Sequence, residues 1–251
     1  MKIRKNELIL LSGGGRKYLT SCAGKFSCKF GSVNLDLFVG KKFGIKIKIG
    51  KEKFSAIKPN VLDILRFAKR GPQVILSKDS SAIASVTGCG KGWKVLDAGS
   101  GSGFNAIFLA NLGCEVLTAE KDKRFFRLAE RNILTSNSIS PLKIQIKNSP
   151  VEKLFRKEHF DLITLDLQNS QKLVRKSFSA LKPGGWLAVY ALQSEDLPRI
   201  SSEIKKVFGN SKISEFLQRD WQFEKFGDKT FTRPKTWMMG HTGFLIFSRK
   251  Q

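Results

Sequence analysis

Histidine occurs only twice in this chain, at 159 and 241, and the four cysteines, at 22, 28, 89 and 114, include no C-x-x-C pair. A zinc centre draws its ligands from such residues at short spacings, so the sequence offers none. The N-terminus, M-K-I-R-K-N-E-L-I-L-L-S-G-G-G, lacks the core and cleavage site of a signal peptide, and no apolar run approaches the ~20 residues that span a bilayer. A soluble, cytoplasmic chain is expected, with its separated thiols as reduced core residues. Internal repeats and low-complexity tracts are missing too. Acidic residues are scarce: 21 Asp and Glu stand against 45 Lys and Arg, a net charge of +24 that fits a polyanionic partner.

What is present suffices for one large domain and a small module, since 41% of the 251 residues are hydrophobic. Residues 1–60 hold 14 basic and 3 acidic residues, so +11 of the total charge falls in the first quarter of the chain. Short apolar segments at 8–11 and 33–39, a turn at 12–15 and the stretch K-K-F-G-I-K-I-K at 41–48 alternate there with Gly and Lys. After Gly44 the alternation of Ile and Lys gives one apolar and one basic face. We expect a small β-domain over 1–60 that grips phosphates, a boundary at Pro59, and a second domain over 61–251 entered through a helix at 61–70.

That second domain is organised around residues 93–120, W-K-V-L-D-A-G-S-G-S-G-F-N-A-I-F-L-A-N-L-G-C-E-V-L-T-A-E. Val95 and Leu96 predict a short buried strand. Residues 97–103 predict a turn whose glycines let the backbone approach a ligand with no side chain in the way. A helix over 104–112, stopped by Gly113, and a second strand over 116–119 follow, with Glu120 at the strand's end. A dinucleotide fold uses its G-x-G-x-x-G loop for a pyrophosphate. Here the spacing is G-x-G-x-G behind an acid, the pattern of S-adenosylmethionine methyltransferases. In that setting Asp97 sits near the cofactor's ammonium and Glu120 accepts from its ribose hydroxyls. The competing reading is a plain β-α-β turn with no cofactor.

Downstream, 122–137 predict an amphipathic helix with Phe125, Phe126, Ala129 and Ile133 inward, and 143–147 a third strand followed by Asn148. Residues 160–167, F-D-L-I-T-L-D-L, predict a fourth strand with Asp166 at its carboxyl end. Ligands of open α/β sheets bind at those ends, which aims Asp166 at the same crevice as Gly101 and Glu120. The alternative is that Asp166 caps a helix over 171–181. K-P-G-G at 182–185 predicts a turn into a fifth strand over 186–192, which carries Tyr190. A helix over 194–208 and a last strand pair, its second member at 243–249, complete a doubly wound sheet.

The segment 233–250, R-P-K-T-W-M-M-G-H-T-G-F-L-I-F-S-R-K, taken with Q-V-I-L-S-K-D at 73–79, the D-A-G-S-G-S-G loop and L-D-L at 165–167, resembles the tRNA (adenine-N1)-methyltransferases of the T-loop. The resemblance spans nearly the whole chain. It implies an α/β fold, a Rossmann-like class I methyltransferase sheet with a small N-terminal β-domain. It also implies S-adenosyl-L-methionine as cofactor, tRNA as partner, no membrane association and a homotetramer. By the same resemblance Gln73, Asp97, Gly99, Ser100, Gly101, Ser102, Gly103, Glu120 and Asn148 hold the cofactor. Asp166, beside both cofactor and target adenine, becomes the catalytic group. Tyr190 is expected either to stack on the base or to fill the core, and His241 either to orient the last strand or to touch substrate. The implied target is N1 of adenine 58 of tRNA, with adenine 57 left open. Three departures from the family stand out: Gln168, Asn169 and Ser170 replace a Pro-rich stretch, Leu76 an aromatic, and Asn148 an acid that reads the cofactor's adenine. Its amide oxygen accepts the same amino proton. Other readings are methylation of another substrate, such as an exocyclic adenine nitrogen or a protein carboxylate, and a non-catalytic RNA-binding subunit. The absence of N-P-P-Y after strand four speaks against an exocyclic target, and the intact glycine loop against a silent subunit.

Overall fold

A computed structural model describes residues 1–71 and 73–251. The chain divides into two compact units, Met1–Lys69 with Leu134–Pro141, and Arg70–Ile133 with Leu142–Gln251.

In the first unit β1 (Leu8–Gly13) and β2 (Arg16–Ser21) form a hairpin around Gly14 and Gly15, at φ +54° and +67°. Both positions need the left-handed region that a tight hairpin turn demands. A second hairpin pairs β3 (Lys25–Cys28) with β4 (Gly31–Asn34), and a third pairs β5 (Lys46–Ile49) with β6 (Glu52–Ile57). The main sheet is antiparallel, in the order β2-β1-β6-β5. Its core gathers Ile9, Leu11, Leu35 and Phe54 with Ile47 and Ile49, while Lys46 and Lys48 stay exposed, so the alternation in β5 produces the two-faced strand it predicts. Residues 33–39 do not form one strand. The Asn34 side chain accepts from the Asp36 N–H at 3.1 Å and turns Leu35–Phe38 into a short 3-10 helix. After Pro59, a reciprocal cap between Asn60 and Asp63 starts α1 (Val61–Phe67). Because α1 packs against β2, it belongs with this unit, which runs to Lys69 rather than ending at 60.

The second unit opens with α2 (Ser77–Thr87), then alternates β7 (Lys94–Ala98), α3 (Phe104–Asn111), β8 (Glu115–Ala119), α4 (Lys123–Asn137), β9 (Ile144–Lys147) and β10 (Phe160–Leu165). There follow α5 (Val174–Ala180), β11 (Leu181–Ala191), α6 (Leu197–Phe208), β12 (Lys212–Glu215), a hairpin of β13 (Trp221–Phe226) and β14 (Lys229–Pro234), and β15 (Phe244–Arg249). Seven strands lie in the order β12-β15-β11-β10-β7-β8-β9. The five from β9 to β11 are parallel, and β15 and β12 add antiparallel edges. Strand order reverses between β7 and β10, and such a switch point opens a crevice at the carboxyl ends of the strands. Gly99, Glu120 and Asp166 directly follow β7, β8 and β10, so the topology brings them together there.

One sequence expectation changes and two elements are additional. The region before β7 holds a helix, α2, which the serine-rich stretch S-K-D-S-S-A-I-A-S-V-T does not announce. Residues 182–185 are part of β11 and do not form a turn: the pairing shifts there from Phe160 with Leu181 to Leu162 with Trp186, and Gly184 at φ +80° accommodates the bulge. The hairpin β13–β14 is additional to the final strand pair. No helix among the described residues is long and apolar enough to cross a membrane.

Candidate active site

The glycine loop is shaped by what lies on either side of it. A Cβ on Gly99 would sit 2.2 Å from the Asp166 carbonyl oxygen, so only glycine lets the end of β7 run this close to the end of β10. Gly103, at φ +80°, precedes α3, and a Cβ there would press on Ala129 of α4 at 3.3 Å. Gly101 differs from both: at φ +50° its missing side chain would meet nothing within 4 Å, so its backbone borders open space. The serines brace the loop. The Ser100 hydroxyl bonds Thr118 at 2.6 Å, and Ser102 Oγ accepts from the Gly71 N–H at 2.7 Å.

Asp97 is placed beneath this loop and not in the cavity. The parallel register sets it between Thr118 of β8 and Thr164 of β10. Its carboxylate accepts from Thr164 Oγ1 at 2.6 Å, Thr118 Oγ1 at 2.7 Å and Asn105 Nδ2 at 2.8 Å. Burial nevertheless pushes its pKa up, partly offset by these donors. The side chain ties three strands and α3 together, and its carboxylate is taken up by these donors and does not line the cavity.

Glu120 is pinned by two backbone donors, the Gly101 N–H at 3.0 Å and the Asp122 N–H at 2.9 Å. Each oxygen keeps a lone pair for a ligand. The Asp166 carboxylate accepts no hydrogen bond from any described residue. Burial, then the charges of Asp97 and Glu120, raise its pKa to about 7. It caps nothing either: Asn169 precedes the 3-10 turn Ser170–Leu173, and Leu173 precedes α5.

These residues border a cavity with two lobes that share Gly99, Glu120 and Asp166. The larger lobe, about 600 Å³, reaches Gln73, Gln168, Tyr190 and His241; the smaller, about 400 Å³, reaches Ser149, Val151 and Leu173. Three carboxylates, from Glu120, Asp166 and Asp196, line the larger lobe, and no Lys or Arg among the described residues does. In a chain carrying +24 that is a strong bias against a phosphate and toward a cationic ligand.

Asn148 lines neither lobe. Its amide nitrogen donates to the carbonyls of Glu120 and Lys121 at 2.8 and 3.3 Å, so it braces the turn after β8. One residue on, Ser149 borders the smaller lobe, and its hydroxyl is shielded from solvent and without a protein partner among the described residues. Rotated toward the lobe, that hydroxyl would be free to meet a ligand atom, and only its position beside the cavity reveals it.

On the far rim the Tyr190 hydroxyl donates to the Thr242 carbonyl at 2.5 Å, and burial raises its pKa to about 12, which keeps the phenol neutral. The ring is both packed and cavity-lining: Gly243 lies so close that a Cβ would stand 2.5 Å from it. His241 holds Glu215 through Nδ1 at 2.5 Å and the Leu192 carbonyl through Nε2 at 3.0 Å. Both partners accept, so they favour the doubly protonated ring and raise its pKa. Lys78, on α2, donates to Thr242 Oγ1 at 2.6 Å and to the Phe216 carbonyl at 2.7 Å, fastening the same segment.

Residues 95–185 match the family model described as a methyltransferase domain. The chain is 28% identical to the tRNA (adenine(58)-N(1))-methyltransferase TrmI of Thermus thermophilus, covering 97% of this chain and 96% of that one. The crystal structure of the tRNA (m1A58) methyltransferase TrmI of Aquifex aeolicus superimposes with a TM-score of 0.83 at 25% identity, over 100% of this chain and 99% of that one. A Thermotoga maritima structure, described as a SAM-dependent O-methyltransferase, superimposes with a TM-score of 0.87 at 25% identity, over 99% of this chain and 94% of that one. The fold is therefore that of the class I methyltransferases, with a small antiparallel β-unit at the N-terminus.

Proposed function

We infer that the chain is an S-adenosylmethionine-dependent tRNA (adenine-N1)-methyltransferase, a reading supported by its near full-length likeness to the TrmI enzymes and by one feature of its own site. That feature is the acid-lined larger lobe, free of Lys and Arg among the described residues, at the switch point of the sheet. A dinucleotide or nucleotide phosphate would face three carboxylates there and no Lys or Arg among the described residues. A sulfonium and an ammonium would find Glu120 and Asp166.

The residues present fit the cofactor. Gly101 offers open backbone at the cavity, Glu120 has lone pairs for two ribose hydroxyls, and the unpartnered Ser149 hydroxyl, rotated into the smaller lobe, suits an adenine nitrogen. We assign adenine reading to Ser149 instead of Asn148. When bound, S-adenosylmethionine supplies an electrophilic methyl group on a cationic sulfur.

The chain's part in the chemistry follows from the target atom. N1 of adenine is a neutral nitrogen whose alkylation makes the base a cation. Ionised Asp166, accepting a hydrogen bond from the neighbouring N6 amino group, favours that developing charge, and the partly closed cavity strengthens the effect. Tyr190 and His241 shape the side of the larger lobe where the base would lie. Because N1 is on the pairing edge, the base must leave the tRNA fold to enter, as for other enzymes that act on bases. The O-methyltransferase relative shares the cofactor chemistry; the basic N-terminal unit favours a nucleic acid over a small hydroxyl substrate here.

Mass spectrometry of nucleosides from unmodified tRNA, incubated with protein and cofactor, is expected to show N1-methyladenosine at one T-loop position or two adjacent ones. Reversing Lys41, Lys42, Lys46 and Lys48 together should raise the KM for tRNA and flatten its salt dependence, by about 0.7–0.9 in log–log slope for each phosphate no longer neutralised. Absence of the methylated nucleoside sinks the reading, and an unchanged slope removes the lysines from RNA docking.

A homo-oligomer, a tetramer by resemblance, is part of the proposal. Trp221, Phe223, Phe226 and Trp237 on and after the hairpin β13–β14 are 60%, 80%, 83% and 90% exposed. Apolar exposure of this extent on one hairpin marks a surface that another chain covers. Sedimentation should give a multiple of the 28.1 kDa chain for the wild type and smaller species after Phe223→Ser with Phe226→Ser. A monomeric wild type at micromolar concentration would exclude it.

A further inference from the structure

We propose that a groove between α5 and α6 holds the phosphates of the RNA strand that flanks the target adenine; the proposal rests on the functional reading above and extends it. The groove is lined by Lys172, Arg175, Arg199, Ser202, Glu203 and Lys206, with Gln171 at one end. Arg199, Ser202 and Lys206 recur at helical spacing along one face of α6, and Lys172, in the 3-10 turn, stands three residues before Arg175 in the first turn of α5. The two helices are held together behind this surface by the edge-to-face contact of Phe178 and Phe208, with centroids 5.0 Å apart. The cationic rows thus sit on a fixed frame.

Its chemistry selects the occupant. No apolar side chain among the described residues lines the groove, so it lacks the anchor a protein segment or hydrophobic ligand would need. Four cations face one acid. That acid, Glu203, is already taken by Lys206 at 2.5 Å, and Lys206 and Arg175 depress its pKa. Arg199 is held by Asp196 at 2.5 Å, whereas Lys172 and Arg175 are exposed and make no salt bridge among the described residues. Arg presents a fork of donors suited to phosphate.

Position ties the groove to the reaction. Gln171 lines both the groove and the larger lobe, and Lys172 lines both the groove and the smaller lobe. Asp196 borders the larger lobe while its partner Arg199 borders the groove. A nucleotide whose base occupies the cavity would therefore send its neighbouring phosphates toward this surface. This groove would act next to the extruded base, on the catalytic unit itself.

The test is Arg175→Glu with Lys206→Glu, both exposed and outside the cavity, measured on full-length tRNA and on an isolated T-arm stem-loop. Expected are an unchanged cofactor affinity, at least about a tenfold rise in Kd and KM for both RNAs, and a salt slope smaller by about 1.4–1.8 for two phosphates no longer neutralised. The neutral pair Arg175→Gln with Lys206→Gln should fall between, whereas an effect of misfolding would also lower cofactor affinity. Unchanged RNA affinity and slope overturn the proposal, and so does a loss confined to full-length tRNA, which would place the groove against a remote part of the molecule. A wild type that binds tRNA without methylating it defeats the functional reading alone, because the binding comparison still decides on the groove. A wild type that binds no tRNA defeats both.

Discussion

Asp166→Asn is expected to lower single-turnover methyl transfer by about 10²-fold or more at saturating cofactor and tRNA, the scale of losing one aimed electrostatic group. The substitution keeps the shape of the side chain and removes only its charge. Because Asp166 caps neither the 3-10 turn nor α5, no helix is lost with it. The charge is also costly to the free protein: burial and the neighbouring Asp97 and Glu120 raise the pKa to about 7, against an ordinary 3.8. Between those values the folded chain binds a proton that the unfolded chain has lost. Stability therefore falls as pH rises from about 4 to about 7, and the full penalty applies above that. The Asn variant escapes it, so its melting temperature should gain on the wild type across this window and hold the gain beyond. The wild-type kcat/KM, which reports the free enzyme, should rise through a pKa near 7, and the residual activity of the variant should lack that limb. Near-normal transfer by the Asn variant would leave Asp166 as structure only.

The reasons some of this is legible in the sequence are local. Ile47 and Ile49 alternate with lysines, and α3 and β8 follow the glycine loop with unbroken apolar spacing, so period alone locates them. Glu120 and Asp166 are readable because each is the first polar residue after a buried strand, and in a parallel sheet that is where a crevice opens. The helix α2 is not readable, since it buries Ala82 and Ile83 but five of its eleven residues are serine or threonine. Its end is set by Gly88 in the left-handed conformation.

What a linear reading misses at the site comes from register, which no single stretch encodes. Asp97 looks like a ligand residue from its place before the glycines. Only the pairing of β7 with β8 and β10 sets two threonine hydroxyls beside it and takes up its oxygens. Asn148 and Ser149 are adjacent in sequence, and the turn after β9 decides that the first braces Glu120's backbone while the second meets the cavity. The α5–α6 groove is assembled from residues 171–206, whose lysines and arginines look in the sequence like ordinary solvated faces. The charge count registers them, but not their convergence.

Gly101→Val should abolish cofactor binding, weakening it by at least about 10²-fold, equivalent to about 2.7 kcal/mol or more. The loop's three glycines make this the informative one. An added Cβ at Gly99 meets the Asp166 carbonyl oxygen at 2.2 Å and must displace the end of β10, so loss of binding there would not separate a damaged fold from a blocked site. At Gly101 the added carbon meets no protein atom within 4 Å, and the space it enters is the cavity. The folded chain then bears mainly the cost of a branched residue at φ +50°, roughly 1–2 kcal/mol, or a fall of roughly 2–8 °C in melting temperature for a chain of this size. Calorimetry with S-adenosylmethionine on a variant that still melts cooperatively separates the two effects. If that variant binds as the wild type does, the loop is a plain β-α turn, and the acids around it must be explained by some other cation.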